Sequence, residues 1–227
     1  MAELCGGLGF DWLWLDLEHG PFDMMSLSHT VRAAESTGMD TIARLPKTSD
    51  PGVILRVLET GVSGVIVPHV RGRADIDAVV SAAKYPPLGT RSAGTMRGPR
   101  WSPVPDYFER VNAEVMILAL VEEVDGIENI DEILSVKELD GVVIGFGDLS
   151  VTMGHGGKRD HPEVLRAGTA AQEKVLAAGK ILQVTTQDGD DAAEWVRRGA
   201  QMVRCTPSKM LSSVCKAWID RAKARAA

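Results

Sequence analysis

Residues 41–68 read TIARLPKTSDPGVILRVLETGVSGVIVP, and this stretch decides the fold class. A short apolar run stands at each end, and the segment between them carries apolar residues at helical spacing. Asp50 followed by Pro51 is typical of a helix start, because the carboxylate caps free backbone N–H groups and proline suits the first helical turn. Gly61 provides a helix end. The pattern predicts a strand–helix–strand unit with parallel strands.

The same alternation continues along the whole chain. Seven apolar runs of strand length are separated by amphipathic helices, and the runs span residues 12–15, 41–44, 64–67, 115–121, 141–144, 180–184 and 201–205. Strands that are apolar throughout are typical of a parallel sheet covered on both faces. We predict an α/β protein with a single domain, residues 1–227, and a TIM (β/α)8-type barrel whose first strand is absent from this chain. An open, doubly wound sheet is the alternative.

The composition is that of an ordinary globular protein, with 44% hydrophobic and 25% charged residues among 227. The formal net charge is −6, which gives no sign of a nucleic-acid-binding surface. We recognise neither a membrane-spanning run nor a signal peptide. The three cysteines are too widely spaced for a metal motif. We therefore expect a cytoplasmic protein with free thiols.

Ionisable residues follow the carboxyl ends of five predicted strands. They are Asp16, Glu18 and His19 after the first strand, Arg44 at the end of the second, His69 after the third, Glu122 after the fourth and Asp148 after the fifth. Active sites of α/β barrels and open α/β sheets are built at this edge. The coincidence predicts that these side chains belong to one site.

Each candidate also has a structural interpretation. Glu122 could simply start the helix that follows it, and Asp148 could cap a turn. His19 could be a hydrogen-bonded structural histidine, and Arg44 an ion-pair partner. His69, together with His155 and His161, is interpreted as structural or exposed.

Two acidic residues with no convincing histidine or cysteine partner indicate a metal site with oxygen ligands. Glu122 and Asp148 would hold Mg²⁺ or Mn²⁺, with open positions for water and substrate. The segment Gly145–Asp148 adds backbone whose N–H groups could meet a substrate carboxylate at a helix N-terminus. The spacings typical of nucleotide-binding loops and zinc sites are not found.

Five segments resemble the class II, metal-dependent pyruvate aldolases, which include the hydroxy-oxo-heptanedioate and 2-dehydro-3-deoxy sugar-acid aldolases. They read LDLEHG at 15–20, ARLP at 43–46, GVIVP at 64–68, YPPLGTR at 85–91 and GFGDLSVTMG at 145–154. The resemblance runs in consistent order from about Phe10 to Lys209. It implies a homo-oligomeric barrel enzyme, a trimer or hexamer, that acts on a small 2-oxo acid. The implied reaction splits or forms a 4-hydroxy-2-oxo acid, with pyruvate and an aldehyde as the fragments, through a metal-stabilised enolate.

The resemblance also implies a role for each candidate residue. Glu122 and Asp148 become the metal ligands, with Co²⁺ as a further candidate ion beside Mg²⁺ and Mn²⁺. His19 becomes the general base and Arg44 stabilises the developing oxyanion, with Asp16 as a further catalytic candidate. The amides of Gly147 and Asp148 hold the pyruvate carboxylate.

Two positions depart from the family pattern. Glu59 takes the place of an aspartate that raises the basicity of the catalytic histidine, after a one-residue difference in length. Leu120 stands where a glutamine commonly contacts the substrate.

Two other functions stay open from the sequence. An enzyme of the citrate-lyase or malyl-CoA-lyase type would share the metal chemistry and would need a basic groove for the nucleotide, for which Arg91, Arg97 and Arg100 are the candidates. The second is a noncatalytic truncated barrel subunit.

Two expectations concern the ends of the chain. The first barrel strand of the family lies upstream of Met1, so we expect the natural protein to start about 20–30 residues earlier. The last helix presents Leu211, Val214 and Trp218 on one face, and we expect it to pack at a subunit contact.

Overall fold

The structure is a computed structural model that describes residues 1–46, 50–94 and 105–226. The chain divides into two compact units, Met1–Lys180 and Ile181–Ala227. Every residue predicted for the site belongs to the first unit. The prediction of a single domain concerns both units together and stays a prediction.

In the described part of the first unit, five parallel strands form the sheet. They are β1 (Trp12–Asp16), β2 (Asp40–Arg44), β3 (Gly64–Val67), β4 (Met116–Val121) and β5 (Gly141–Ile144). Each strand pairs with the next one along the chain, in registers that include Trp12–Asp40, Ile42–Gly64, Gly64–Met116 and Leu118–Gly141. Because the strands are parallel, all five carboxyl ends lie at one edge of this sheet. The predicted strand positions are confirmed to within one residue at nearly every end.

Helices connect these strands. Those in the described part of the first unit are α1 (Ala2–Gly7), α2 (Met24–Glu35), α3 (Pro51–Leu58), α4 (Arg73–Ala83), α5 (Tyr107–Glu114), α6 (Val124–Glu128), α7 (Ile130–Leu134), α8 (Phe146–Thr152) and α9 (Pro162–Ala177). Aspartate side chains cap two of these helices, and the cap at Asp50 was predicted from the sequence. The Asp23 side chain accepts the N–H of Ser26 at 2.7 Å at the start of α2. Asp50 caps α3 in the same way, with Pro51 in its first turn.

The core of the first unit lies between the sheet and the helices. All residues of β3 and β5 are buried, as expected for strands covered on both faces. On the helices the fully buried side chains recur at helical spacing, as in Leu27 and Val31 of α2 and Ile54 and Val57 of α3. Burying a side chain of this size contributes about 1.5–3 kcal/mol, so this apolar face is what holds each helix on the sheet.

Helix α5 was not predicted from the sequence. It follows the segment 88–105, of which positions 95–104 lie outside the described residues. None of the α5 residues is buried, so a core-facing side does not hold this helix in place. Tertiary contacts hold it instead, since the ring of Phe108 packs edge-on against Tyr85 at 4.7 Å and Asn112 bonds the Tyr85 backbone.

The second unit contains β6 (Ile181–Thr185), α10 (Gly189–Arg197), β7 (Met202–Arg204) and α11 (Pro207–Ala226). Strands β6 and β7 pair in parallel, so the strand–helix–strand prediction holds here as well. Leu211, Val214 and Trp218 of α11 are exposed in the single chain. Their packing at a subunit contact stays a prediction. No helix within residues 1–46, 50–94 and 105–226 has the length and apolar character needed to cross a membrane.

Candidate active site

Polar side chains converge at the carboxyl edge of the first unit's sheet. Asp16 and Arg44 are the last residues of β1 and β2, and their strands pair directly in the register Asp16–Arg44. Glu122 follows β4 and Gly145 follows β5, the next strand in the sheet. The predicted grouping of strand-end residues therefore corresponds to one edge of one sheet.

Arg44 is held by two carboxylates. Its Nε and Nη2 donate to the two Asp16 oxygens at 3.0 and 2.5 Å, and its Nη1 lies 2.9 Å from Glu18 Oε2. The guanidinium also lies over the Trp14 ring, 5.7 Å from its centroid. Because Arg44 donates two hydrogen bonds to Asp16, forms a close ion pair with Glu18 and has a side chain only 11% exposed, its orientation is fixed.

Asp16 organises the turn after β1. One of its oxygens accepts the backbone N–H groups of Glu18 and His19, both at 3.1 Å. Burial alone would raise the pKa of the Asp16 carboxyl. The hydrogen bonds and charge of Arg44, together with those two backbone N–H groups, lower it by more, so the pKa lies below its ordinary value. Asp16 is therefore an anion that positions its neighbours rather than a proton donor.

His19 is fixed at its backbone and open at its ring. The hydrogen bond from the His19 backbone N–H to the Asp16 carboxylate anchors the main chain, whereas the His19 side chain is 70% exposed. Its Nε2 lies 3.9 Å from Glu18 Oε2. A histidine in this setting is accessible to a substrate that lies above the edge of the sheet, which agrees with its predicted role without testing it.

Glu122 is the buried carboxylate of the site, with 2% of its surface exposed. Burial raises the pKa of Glu122 to about 7; the backbone amide and charge of His69 act in the opposite direction, and the charges of Asp148 and Glu18 raise it further. Gly145 makes room for it, since a Cβ atom at that position would lie 2.5 Å from the Glu122 Cβ. Any other residue at 145 would displace this carboxylate.

Asp148 lies in the first turn of α8 and is exposed. Its charge raises the pKa of Glu122, so the two predicted metal ligands are close enough to interact electrostatically. The first internal bond of α8 runs from the N–H of Leu149 to the Gly145 carbonyl, which leaves the amides of Gly147 and Asp148 available to a ligand. The Arg159 guanidinium lies against Gly147, 3.2 Å from the position of an added Cβ.

Residues 1–211 match the HpcH/HpaI aldolase/citrate lyase family. This chain belongs to that family. It is 38% identical over 204 residues to the hydroxypyruvate/pyruvate aldolase of Deinococcus radiodurans, covering 89% of this chain and 73% of that protein. It is 35% identical to the 4-hydroxy-2-oxo-heptane-1,7-dioate aldolase of Klebsiella pneumoniae, over 89% of this chain and 77% of the relative.

Among solved structures, the fold is similar to that of an HpcH/HpaI aldolase from Desulfitobacterium hafniense. The TM-score is 0.88 at 28% sequence identity, and the match covers 96% of this chain and 86% of the other. The predicted pyruvate-aldolase family and the TIM-type barrel class are both confirmed. The prediction of a carbon–carbon lyase is confirmed as well.

In this HpcH/HpaI family member, Glu59 is paired with Arg91. The Arg91 Nη2 lies 2.9 Å from Glu59 Oε1, and the Arg91 guanidinium stacks over the Tyr85 ring at 4.7 Å. The contact expected between Glu59 and His19 stays a prediction. Because Arg91 is buried, it does not contribute to an exposed basic groove, and Arg97 and Arg100 lie outside the described residues.

His69 is a site residue that sequence reasoning assigned to structure. Its Nε2 lies 2.9 Å from Glu18 Oε1 and its Nδ1 lies 2.9 Å from Glu123 Oε1, while its backbone N–H donates to Glu122 at 3.1 Å. No local signal could have found these contacts, because they join positions more than 50 residues apart. The sequence grouped His69 with the other residues that follow strand ends, but it did not indicate which side chains His69 contacts.

The charges of the edge fit a bound divalent cation. Five carboxylates converge here among the described residues, belonging to Asp16, Glu18, Glu122, Glu123 and Asp148. Arg44 pairs with Asp16 and Glu18, Arg71 pairs with Glu123, and the Arg159 guanidinium lies beside Gly147. The excess of negative charge around a buried carboxylate is what a divalent ion would offset, and oxygen ligands suit Mg²⁺ or Mn²⁺. Divalent-metal dependence is typical of the family.

A second group of possible ligands lies at the start of α9. It comprises His155, His161 and Glu163. The two imidazole rings are stacked with their centroids 3.6 Å apart, so their in-plane nitrogens do not converge on one point. His161 Nδ1 accepts the N–H of Glu163, and His155 pairs with the Glu163 carboxylate at 2.9 Å. These contacts cap the helix.

The raised pKa of Glu122 predicts how the metal-free protein responds to pH. Between its ordinary value of 4.5 and about 7, the unfolded chain has lost the Glu122 proton while the folded chain keeps it. The folded state then binds more protons at Glu122, so the contribution of this group to stability should fall as pH rises from about 5 to 7 and level off above that. We expect Glu122→Gln to flatten this part of the curve.

The measurement is the thermal unfolding midpoint between pH 5 and 8 in EDTA, where each kcal/mol corresponds to about 2–4 °C. Glu114→Gln serves as the matched control, because Glu114 is an exposed carboxyl in a surface ion pair with Arg110. Parallel curves for the wild type and Glu122→Gln would contradict the prediction.

Proposed function

We propose that this chain is an aldolase that splits a 4-hydroxy-2-oxo acid into pyruvate and an aldehyde, and joins them in the reverse direction. The observation that carries the proposal is the fixed Arg44 guanidinium, which lies beside the open ring of His19 at the edge that also holds the buried Glu122 carboxylate. The names of the relatives support the same reaction, since they include pyruvate and 4-hydroxy-2-oxo-heptane-1,7-dioate aldolases.

Glu122 and Asp148 would hold the divalent cation. Both offer carboxylate oxygens; Glu122 directly follows β4, and Asp148 lies in the first turn of α8, which follows the neighbouring strand β5. When bound, such an ion acts as a Lewis acid on the keto oxygen of the substrate and contributes several kcal/mol to the stabilisation of developing charge. We propose Mg²⁺ or Mn²⁺, with Co²⁺ as a further candidate.

Arg44 would stabilise the charge that develops on the same oxygen. Cleavage of the C3–C4 bond leaves its electron pair on the pyruvate fragment, and that negative charge is shared with the former keto oxygen. A guanidinium keeps its proton at any relevant pH. Because Asp16 and Glu18 already orient Arg44, it would not have to reorganise when the charge appears.

His19 would accept the proton of the 4-hydroxyl group. Loss of this proton turns the hydroxyl carbon into the aldehyde carbonyl as the C3–C4 bond breaks. A proton must then be delivered to C3, which becomes the methyl group of pyruvate. Imidazole suits the transfer because its ordinary pKa range lies near neutrality.

The backbone at the start of α8 would bind the carboxylate of the 2-oxo acid. The N–H groups of Gly147 and Asp148 lie in the first turn of α8, before the first hydrogen bond within the helix, and the nearby Arg159 guanidinium adds positive charge. A carboxylate held there would lie beside Asp148 and thus within reach of the same cation. The reacting carbons would then lie near His19 and Arg44 at the edge of the sheet.

Further proposals concern the setting of the enzyme. We propose a homo-oligomer, a trimer or hexamer, in which the exposed apolar face of α11 packs against another copy. We also propose a cytoplasmic location and a small-molecule substrate as the ligand of the site.

The proposal is tested by release of pyruvate from a panel of 4-hydroxy-2-oxo acids, read by a coupled dehydrogenase assay. We expect activity with Mg²⁺ or Mn²⁺, its loss in EDTA and its return on adding the metal. A panel of coenzyme A thioesters is the matched comparison. Cleavage of the thioesters alone would favour an enzyme of the citrate-lyase type, and inactivity on both panels would contradict the proposed function.

A further inference from the structure

The candidate site consists of two halves that come from different strands. Arg44 and Glu18 form one half, at the ends of β1 and β2. Glu122 forms the other half, at the end of β4. His69 follows β3, which pairs with β2 on one side and with β4 on the other. The order of the strands therefore places His69 between the halves.

Three polar contacts of His69 span that gap. The Nε2 atom lies 2.9 Å from Glu18 Oε1, and Glu18 in turn holds Arg44 through its other oxygen. On the opposite side of the ring, Nδ1 lies 2.9 Å from Glu123 Oε1. The backbone N–H donates to Glu122 Oε1 at 3.1 Å. One rigid ring and its own amide thus connect both halves of the site.

The backbone conformation of His69 is unusual and serves these contacts. Its φ angle is 55°, in the left-handed region that residues other than glycine rarely adopt, although histidine is among those that tolerate it. Strained backbone of this kind persists where the surrounding structure requires it, and it is concentrated at functional sites. Here it aims the amide at Glu122 and the ring at Glu18 and Glu123.

We propose that His69 is a positioning residue that holds the Glu18–Arg44 pair and the Glu122 carboxylate at a fixed separation. In this role it makes Arg44 and the ligands of the divalent cation face the same substrate oxygen. The inference rests on the proposed function for its consequence on catalysis. Its consequence for metal binding does not depend on which substrate is used.

Other contacts already hold the segment after β3 in place. Arg71 Nε pairs with Glu123 Oε2 at 2.6 Å, its backbone N–H donates to Asp75 at 2.8 Å, and its carbonyl accepts from Asn129 at 2.9 Å. The fold at this point is therefore supported without the His69 ring. Loss of the ring should affect the geometry of the site more than the stability of the protein.

The test is His69→Asn, measured by direct binding of Mn²⁺ followed by electron paramagnetic resonance and by steady-state pyruvate release. Asparagine tolerates the left-handed backbone and keeps the hydrogen bond from its backbone N–H to Glu122. Its side chain is too short to reach Glu18 and Glu123 together. We expect the Mn²⁺ dissociation constant to rise and kcat to fall by about 10–100-fold each, the usual effect of losing a residue that orients metal ligands. KM and the unfolding midpoint should change little.

Two further variants complete the test. His29→Asn is the matched control, since His29 is an exposed histidine on α2 that contacts Arg32. Glu18→Gln weakens the contact between His69 and Glu18 from the Glu18 side. Its effect on Mn²⁺ affinity should therefore be less than additive with that of His69→Asn. Glu18→Gln also tests the positioning role of His69 if the His69→Asn variant fails to fold.

The outcomes separate this inference from the proposed function. A lower unfolding midpoint with wild-type Mn²⁺ affinity and kcat in His69→Asn would overturn the positioning role. If the wild type binds Mn²⁺ but releases no pyruvate, the proposed function fails, and weaker Mn²⁺ binding by His69→Asn still supports the positioning role. A wild type that binds no Mn²⁺ would overturn both.

Discussion

Replacing Asp148 by alanine should lower kcat/KM for pyruvate release by about 10³-fold or more. The substitution removes one of the two carboxylates proposed to hold the divalent cation. Such an ion contributes several kcal/mol to the stabilisation of developing charge, and each loss of about 1.4 kcal/mol lowers the rate tenfold. Asp148 is exposed in the first turn of α8, so its loss leaves the core intact. The measurement is pyruvate release at varied Mn²⁺ concentration, with the unfolding midpoint as the check on folding.

Asp131→Ala is the matched control for this substitution. Asp131 is a mostly exposed carboxyl on α7 whose contact is a surface ion pair with Lys174, worth little in stability or activity. Treatment of the wild type with EDTA should reproduce the loss caused by Asp148→Ala, and added metal should reverse it. Full activity in EDTA, together with trapping of a lysine adduct by borohydride, would instead indicate a Schiff-base enzyme.

Replacing His19 by alanine should separate two reactions of the same site. Cleavage needs a base for the 4-hydroxyl proton, so we expect it to fall by about 10²–10⁴-fold. Exchange of the pyruvate methyl protons with solvent involves no hydroxyl group and should fall far less. Arg44→Lys should impair both reactions, because the charge on the keto oxygen is common to them and lysine cannot reproduce the fork that Asp16 holds.

Cleavage is measured by the coupled assay and exchange by NMR in D₂O. His29→Ala is the control for removal of a histidine, since His29 is exposed on α2. Equal losses of about threefold or less in His19→Ala and Arg44→Lys, for both reactions, would place these residues outside the chemistry, because a positioned base contributes far more.

The fold could be predicted from the sequence wherever burial leaves a periodic pattern. Strands β3 and β5 are buried along their whole length, so their sequences are uniformly apolar and unambiguous. Helix α3 combines a capping aspartate, a proline and an apolar face. Helix α5 has no buried residue, and the Asp106 side chain at its N-cap makes no cap bond. Its contacts with Tyr85 depend on distant chain segments that a local pattern does not contain.

The site could be predicted as a set of positions but not as a network. Parallel topology sends every strand end to one edge, so Asp16, Arg44 and Glu122 could be grouped from the strand pattern alone. The partner of each side chain depends on rotamers and on the path of each loop. For that reason the Glu59–Arg91 pair was not expected, and His69 was set aside although it contacts three carboxylates.

The registers of the sheet also bear on how the chain reaches this arrangement. Gly64 pairs with Met116, whereas Trp12 pairs with Asp40 and Leu118 with Gly141. The pairing of β3 with β4 thus closes roughly twice the length of chain, and each doubling adds about 0.6 kcal/mol of closure entropy. Pairings between distant segments are the slow steps of folding. Since His69 and Glu122 lie just beyond these two strands, we expect the newly made chain to gain catalytic competence only when its longest crossover closes.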